Sequence, residues 1–173
     1  MNLKNYVATI ENYPKEGILF RDITPLMNDG KAYKYATEKI VEFAKEHHVD
    51  IVVGPEARGF IFASVTAEHL ALPLILVRKK GKLPGEVYSE SYDLEYGTAT
   101  IEVHKTDIVK EQNILVIDDL IATGGTLTAT KKIIEKAGAH VVAFLGVIGL
   151  PFLHYEDVLK GVPVYTLIQF DHE

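Results

Sequence analysis

Five short, nearly uninterrupted apolar runs constrain this chain more than any other feature of its sequence. They are Ile51-Val52-Val53, Leu74-Ile75-Leu76-Val77, Ile114-Leu115-Val116-Ile117, residues 141–148 and residues 164–168. Each is short for a helix and lacks the polar alternation of a half-exposed strand, so each reads as a strand buried on both faces. Helical patterns lie between them. The stripe Ala36, Ile40, Phe43, Ala44 and His47 precedes the first run, residues 60–71 follow it, and residues 127–137 follow the third, with Gly138 as the stop. Strands alternating with helices imply an α/β domain, a doubly wound and mostly parallel sheet covered on both faces. With no internal repeat and no Pro/Gly/Ser-rich linker, residues 1–173 read as one domain.

Composition narrows the partners. The chain has 18 Lys+Arg against 24 Asp+Glu, a formal charge of −6, and no arginine-rich stripe, which argues against nucleic acid. No stretch reaches the roughly 18 apolar residues of a membrane span, and the N-terminal residues do not form a secretion signal. Zero cysteines exclude a disulfide framework, a thiolate nucleophile and Cys-ligated metal, and suit a reducing compartment, so a cytoplasmic location is expected. The seven histidines show no paired ligand spacing, and no transition metal is expected to be held by the protein. The expected partner is a small molecule.

Residues 79–110 break the alternating layout. They are polar, contain Gly81, Pro84, Gly85 and Gly97, and include two segments of strand composition, residues 86–92 and 98–104. A long insertion without helix reads as a hairpin or lid serving a function.

In a sheet of this kind ligands bind beyond the carboxyl ends of the strands, so the residues after each apolar run carry the chemistry. After the third run comes Asp118-Asp119-Leu120-Ile121-Ala122-Thr123-Gly124-Gly125-Thr126, opening into a helix. The glycines let the main chain turn with its amides inward, and Thr123 and Thr126 add hydroxyl donors at the positive end of a helix dipole. That is a phosphate cradle without the lysine of a Walker A loop or the spacing of a dinucleotide fingerprint. Asp118 and Asp119 accept hydrogen bonds only and suit vicinal hydroxyls, so the segment matches a ribose 5-phosphate. Arg58, after the first run, is placed to bind an anion. Arg78, Lys79, Lys80 and Lys82, after the second, suggest a second anionic group.

These motifs make the chain similar to the type I phosphoribosyltransferases, and within them to the adenine branch. The stretch Ile114 through Thr126 resembles the phosphoribosyl pyrophosphate (PRPP) motif of that superfamily. Tyr13-Pro-Lys-Glu-Gly-Ile-Leu-Phe-Arg-Asp-Ile-Thr-Pro25, Val53-Gly-Pro-Glu-Ala-Arg58-Gly-Phe60, Arg78-Lys-Lys-Gly-Lys-Leu-Pro-Gly85 and Leu94-Glu95-Tyr96-Gly97 carry the likeness to the adenine branch. It runs over residues 1–148; beyond it, Ile148-Gly149-Leu150-Pro151 and residues 152–158 depart from the pattern.

The resemblance implies transfer of phosphoribosyl from PRPP to adenine, giving AMP and pyrophosphate, with Mg²⁺ arriving on the PRPP, in a homodimer. It implies an N-terminal hood over the base at about residues 1–30 and a flexible lid at about 79–105. Asp118, Asp119, Ala122, Thr123, Gly124, Gly125 and Thr126 would bind PRPP or AMP. Arg58, Arg78, Lys79 and Lys82 would bind pyrophosphate, Arg58 in a catalytic role, and Phe20, Arg21, Asp22 and Ile23 would bind adenine. Glu95 would act as general base, with Tyr96 a lid contact. A phosphoribosyltransferase for another purine shares the phosphate apparatus and stays open as an alternative, as does a non-catalytic PRPP-sensing regulator.

Overall fold

The structure, a computed structural model, describes residues 1–94 and 97–172. Strands β1 (Ala8–Glu11) and β2 (Leu19–Asp22) form an antiparallel hairpin of their own, followed by α1 (Thr24–Asn28) and α2 (Gly30–Glu46). Then come β3 (Ile51–Pro55), α3 (Gly59–Leu70), β4 (Leu74–Lys79), β5 (Val87–Asp93), β6 (Thr98–His104), β7 (Asn113–Ile121), α4 (Gly125–Lys136), β8 (His140–Gly149), α5 (Tyr155–Val158) and β9 (Val164–Gln169). The main sheet has the order β5-β6-β4-β3-β7-β8-β9. β4, β3, β7, β8 and β9 run parallel, and the β5–β6 hairpin extends the β4 edge antiparallel.

All five apolar runs are strands, and the core shows why they lack alternation. Successive side chains of a strand point to opposite faces, and in the inner strands β3, β7 and β8 both faces are covered. β9, expected to be buried on both faces, is instead the edge of the sheet, with Ile168 buried and Tyr165 exposed. Val52, Leu115, Ile117, Ala143 and Leu145 pack in one core with Ala36 and Ile40 of α2 and Phe62 and Ala63 of α3. Their neighbours Ile51, Val53, Ile114, Val116 and Phe144 pack in a second core with Leu127, Ile133 and Ile134 of α4.

Helix ends follow local chemistry. The Asp29 carboxylate accepts from the amides of Lys31 and Ala32 at 2.9 Å each and starts α2. His47, counted in the helical stripe on sequence, lies just past the helix, where its ring stacks on Phe43 with centroids 3.8 Å apart. Gly138 follows α4 with φ 90°. The polar insertion holds β5 and β6 in antiparallel register from Val87↔His104 to Asp93↔Thr98. The C-terminal segment contributes the short α5, whose Tyr155 is fully buried.

Candidate active site

The parallel strands β3, β4 and β7 deliver three segments to one end of the sheet. Beyond β7 the chain turns through residues 122–124 into α4. Gly124 has φ 84°, which favours glycine, and a Cβ there would also stand 3.1 Å from Leu159 Cγ, so a larger residue would have to push that side chain aside. The amides of Thr123, Gly124, Gly125 and Thr126 donate to no other described residue. They line a cavity of about 100 Å³ with Asp118 and Leu120 at the start of a twelve-residue helix. Free amides and the helix dipole together favour an anion there. The Thr128 hydroxyl donates to Gly124 O and that of Thr130 to Thr126 O, fixing the first turn.

The two acids stand beside this cradle but are not equivalent. Asp119 is buried, and its Oδ2 lies 2.8 Å from Nε of Arg58. Asp118 Oδ1 accepts from the Asp119 amide at 2.9 Å. Burial pushes the Asp118 carboxyl well above its usual range, and the negative charge of Asp119 pushes the same way. Burial raises Asp119 too, while the Arg58 guanidinium opposes the rise. Gly59, at the start of α3, makes this packing possible, since a Cβ there would stand 2.9 Å from Asp118 Oδ1.

The cations after β4 are held by an acid that the sequence reading passed over. Glu56, just beyond β3, accepts from Arg78 Nε at 3.3 Å, from the Lys79 amide at 3.0 Å and from Lys82 Nζ at 2.5 Å. Lys82 and the Lys79 amide are the leading causes that hold its carboxyl at about 2. The run is therefore ordered around a carboxylate rather than being a free positive patch. An acid two residues before Arg58, between two cationic strand ends, was the signal for it. Glu102, buried on β6, accepts from the Gly81 amide at 2.9 Å and fixes the same turn from the other side.

The four residues expected at the base divide between two faces of β2 and the core. Phe20 has its ring centroid 5.8 Å from the Arg58 guanidinium carbon. Asp22 accepts from both the amide and the hydroxyl of Thr24, which lowers its pKa, with Arg58 contributing. Arg21 turns elsewhere: it donates to Thr9 Oγ1, lies over the Phe170 ring at 4.2 Å and reaches the His172 carbonyl at 3.4 Å. Ile23 is buried in the core. The structure thus gathers Phe20, Arg58, Asp118, Asp119 and the cradle, and separates the Arg21 side chain from them. Glu95 and Tyr96 lie outside the described residues. Tyr92, not singled out on sequence, has its hydroxyl 3.0 Å from Thr126 Oγ1.

Known proteins match this chain in sequence and fold. Residues 24–151 match the family model of the phosphoribosyl transferase domain. An adenine phosphoribosyltransferase of Treponema denticola is 56% identical, the match covering 96% of this chain and 88% of that one. The crystal structure of adenine phosphoribosyltransferase from Thermoanaerobacter pseudethanolicus superposes with a TM-score of 0.93 at 39% identity, covering 97% of this chain and 98% of that one. The Saccharomyces cerevisiae enzyme, solved with an imino-altritol bisphosphate and adenine, gives 0.91 at 34% identity, covering 95% and 96%. On the matched domain, the identity and the shared fold, the chain belongs to the phosphoribosyl transferase domain family and, within it, to the adenine phosphoribosyltransferases.

Proposed function

We propose that the protein transfers the phosphoribosyl group of PRPP to adenine, yielding AMP and pyrophosphate. The observation that carries this reading is the cradle of uncommitted amides at residues 123–126 beside an acid pair, Asp118 half-buried and Asp119 buried, at the mouth of a strand whose neighbours supply cations. The amides of residues 122–126 hold the 5-phosphate, and Asp118 and Asp119 take the ribose hydroxyls. Arg58, with Arg78, Lys79 and Lys82, faces the pyrophosphate. As the bond from C1 to pyrophosphate stretches, positive charge builds on the ribose and negative charge on the leaving group, and preorganised cations stabilise the latter. No protein nucleophile is required. The adenine nitrogen loses a proton, and we assign its acceptance to Glu95.

Mg²⁺ takes oxygen ligands, and the donor set that fits it is the phosphate and ribose oxygens of PRPP beside Asp118 and Asp119. Carried on the substrate, it supplies positive charge to the diphosphate. We further place residues 1–173 in one catalytic domain, with residues 1–30 as a hood over the base and 79–105 as a flexible lid. A homodimer in the cytoplasm completes the reading, in keeping with a cysteine-free chain; light scattering after size exclusion tests the dimer.

Selectivity for adenine follows from hydrogen-bond polarity. Among the described residues β2 pairs with β1 alone, so alternate residues of its outer edge present an N–H and a C=O side by side. Adenine offers the complement, an exocyclic amine donor beside the N1 acceptor, whereas 6-oxopurines offer the reverse. Phe20 adds stacking that any purine shares. A pocket built on such pairing discriminates by about 10⁴ or more, because unmet buried hydrogen bonds are expensive. Nucleotide formation from PRPP with adenine, hypoxanthine, guanine and xanthine tests this. Efficient AMP formation with the others slower by orders of magnitude is expected; comparable efficiency on a 6-oxopurine would overturn the adenine assignment.

A further inference from the structure

We propose that Tyr92 is a positioning residue that seats the β5–β6 hairpin on the phosphate cradle through the Thr126 hydroxyl, and that a bound phosphate strengthens the seat. The inference rests on the reading of residues 122–126 as a 5-phosphate site and extends it to a residue outside the motif.

Three observations converge on Tyr92. Its ring lies close over the cradle: a Cβ at Gly125 would stand 3.2 Å from Tyr92 Cδ2, and the ring would have to shift to admit one. Its phenolic oxygen accepts from Thr126 Oγ1 at 3.0 Å. Two residues earlier, and so on the same face of β5, Glu90 Oε1 lies 3.2 Å from Lys132 Nζ of α4. The hairpin is thereby tied to α4 at the helix start and again along its length. Tyr92 also lines a cleft of about 400 Å³ with Lys79, Lys80 and Leu94, so it stands between the cradle and the cations after β4.

Proton counting supplies the coupling. Thr126 has one hydroxyl hydrogen, and here it goes to Tyr92. A phosphate in the cradle has only acceptor oxygens at neutral pH and draws that hydrogen to itself. The Thr126 oxygen then accepts, and the Tyr92 hydroxyl reverses to donate to it. The resulting chain, Tyr92 to Thr126 to phosphate, polarises in one direction, and each hydrogen bond strengthens the next. No bond to hydrogen is broken. A ligand bearing a 5-phosphate therefore holds the hairpin down more firmly than the same ligand without it.

Calorimetric binding of AMP and adenosine to wild type, Tyr92→Phe, Thr126→Val and the double variant tests the proposal. Tyr92→Phe keeps the ring over Gly125 and removes only the hydroxyl. It should weaken AMP by on the order of fivefold, the worth of one hydrogen bond, and leave adenosine unchanged. In the Thr126→Val background it should add no further loss. Thr126→Ser, which keeps a hydroxyl, should restore the cost of Tyr92→Phe and guards against a folding defect in the valine variant. Equal losses for AMP and adenosine, no loss for AMP, or losses that multiply independently would overturn the proposal. AMP formation by the wild type in the same preparation judges the catalytic reading separately: an inactive wild type that still shows the AMP pattern would sink that reading and leave the seat standing.

Discussion

Two acids at the carboxyl end of the sheet, Asp118 and Glu56, stand in opposite electrostatic states. Asp118 is half-buried beside a second carboxylate, and desolvation and that neighbouring charge drive its pKa up. Glu56 gathers Lys82, the Lys79 amide and Arg78, and its pKa is driven down to about 2. The donors around them differ in the same sense. At the cradle they are main-chain amides with no partner among the described residues, ready for a phosphate. At the cationic end they are side chains already paired, Arg58 with Asp119 and Arg78 and Lys82 with Glu56. One end of the site is built of backbone amides, and on the proposed reading the other exchanges carboxylate partners for its ligand. The arrangement suits a reaction in which the phosphate stays bound throughout and the pyrophosphate has to leave.

The largest expected effect lies at neither end. Glu95→Gln keeps the size of the side chain but cannot accept a proton, and turnover should fall by roughly 10² to 10⁴ with PRPP binding little changed. A loss of a few-fold would mean that both ends work without a protein base. Next comes the cationic end itself. Arg58→Ala removes a donor to developing charge and should cost on the order of 10² to 10³ in turnover with the fold intact. Near wild-type turnover would make Arg58 a structural partner of Asp119 only.

Glu56→Gln sharpens the contrast through pH. The folded-state pKa of Glu56, about 2, lies below its ordinary 4.5, so its contribution to stability is fully present above pH 4.5 and is lost as pH falls toward 2. Thermal melts between those limits should therefore fall less steeply with acid in Glu56→Gln than in the wild type. Equal slopes would show that the cations do not depend on this acid. The smallest effect is expected at Asp118, where the sign reverses. A carboxyl with a raised pKa costs stability as pH rises past its ordinary 3.8, so Asp118→Asn should melt a few degrees higher than the wild type at neutral pH without ligand. A lower melting temperature would mean that Asp118 is structural.

The same contrast explains what was legible in the sequence. Backbone devices announce themselves locally: glycines and threonines at a strand-to-helix turn define the cradle, and short apolar runs define the parallel strands. Side-chain pairing across the sheet does not. Glu56 meets Lys82 over twenty-six positions, Tyr92 meets Thr126 over thirty-four, and Arg21 reaches a carbonyl 151 residues away. The resemblance grouped Arg21 with Phe20 as one segment over the base, yet alternation along β2 sends neighbouring side chains to opposite faces. Leu159 packs against Gly124 across thirty-five positions of the chain, so its place under the cradle could be seen only in three dimensions.

The two-ended account is tested most directly by calorimetric binding of AMP and of PRPP to two variants, Asp118→Asn with Asp119→Asn, and Arg58→Ala. AMP carries the ribose phosphate alone, whereas PRPP also carries the pyrophosphate. The account predicts that the double asparagine variant weakens both ligands by similar factors, and that Arg58→Ala weakens PRPP at least tenfold while AMP stays within about threefold, since hydrogen bonds to charged groups are the stronger class. Unchanged affinity in the acid variant, or equal losses of AMP and PRPP in Arg58→Ala, would contradict it.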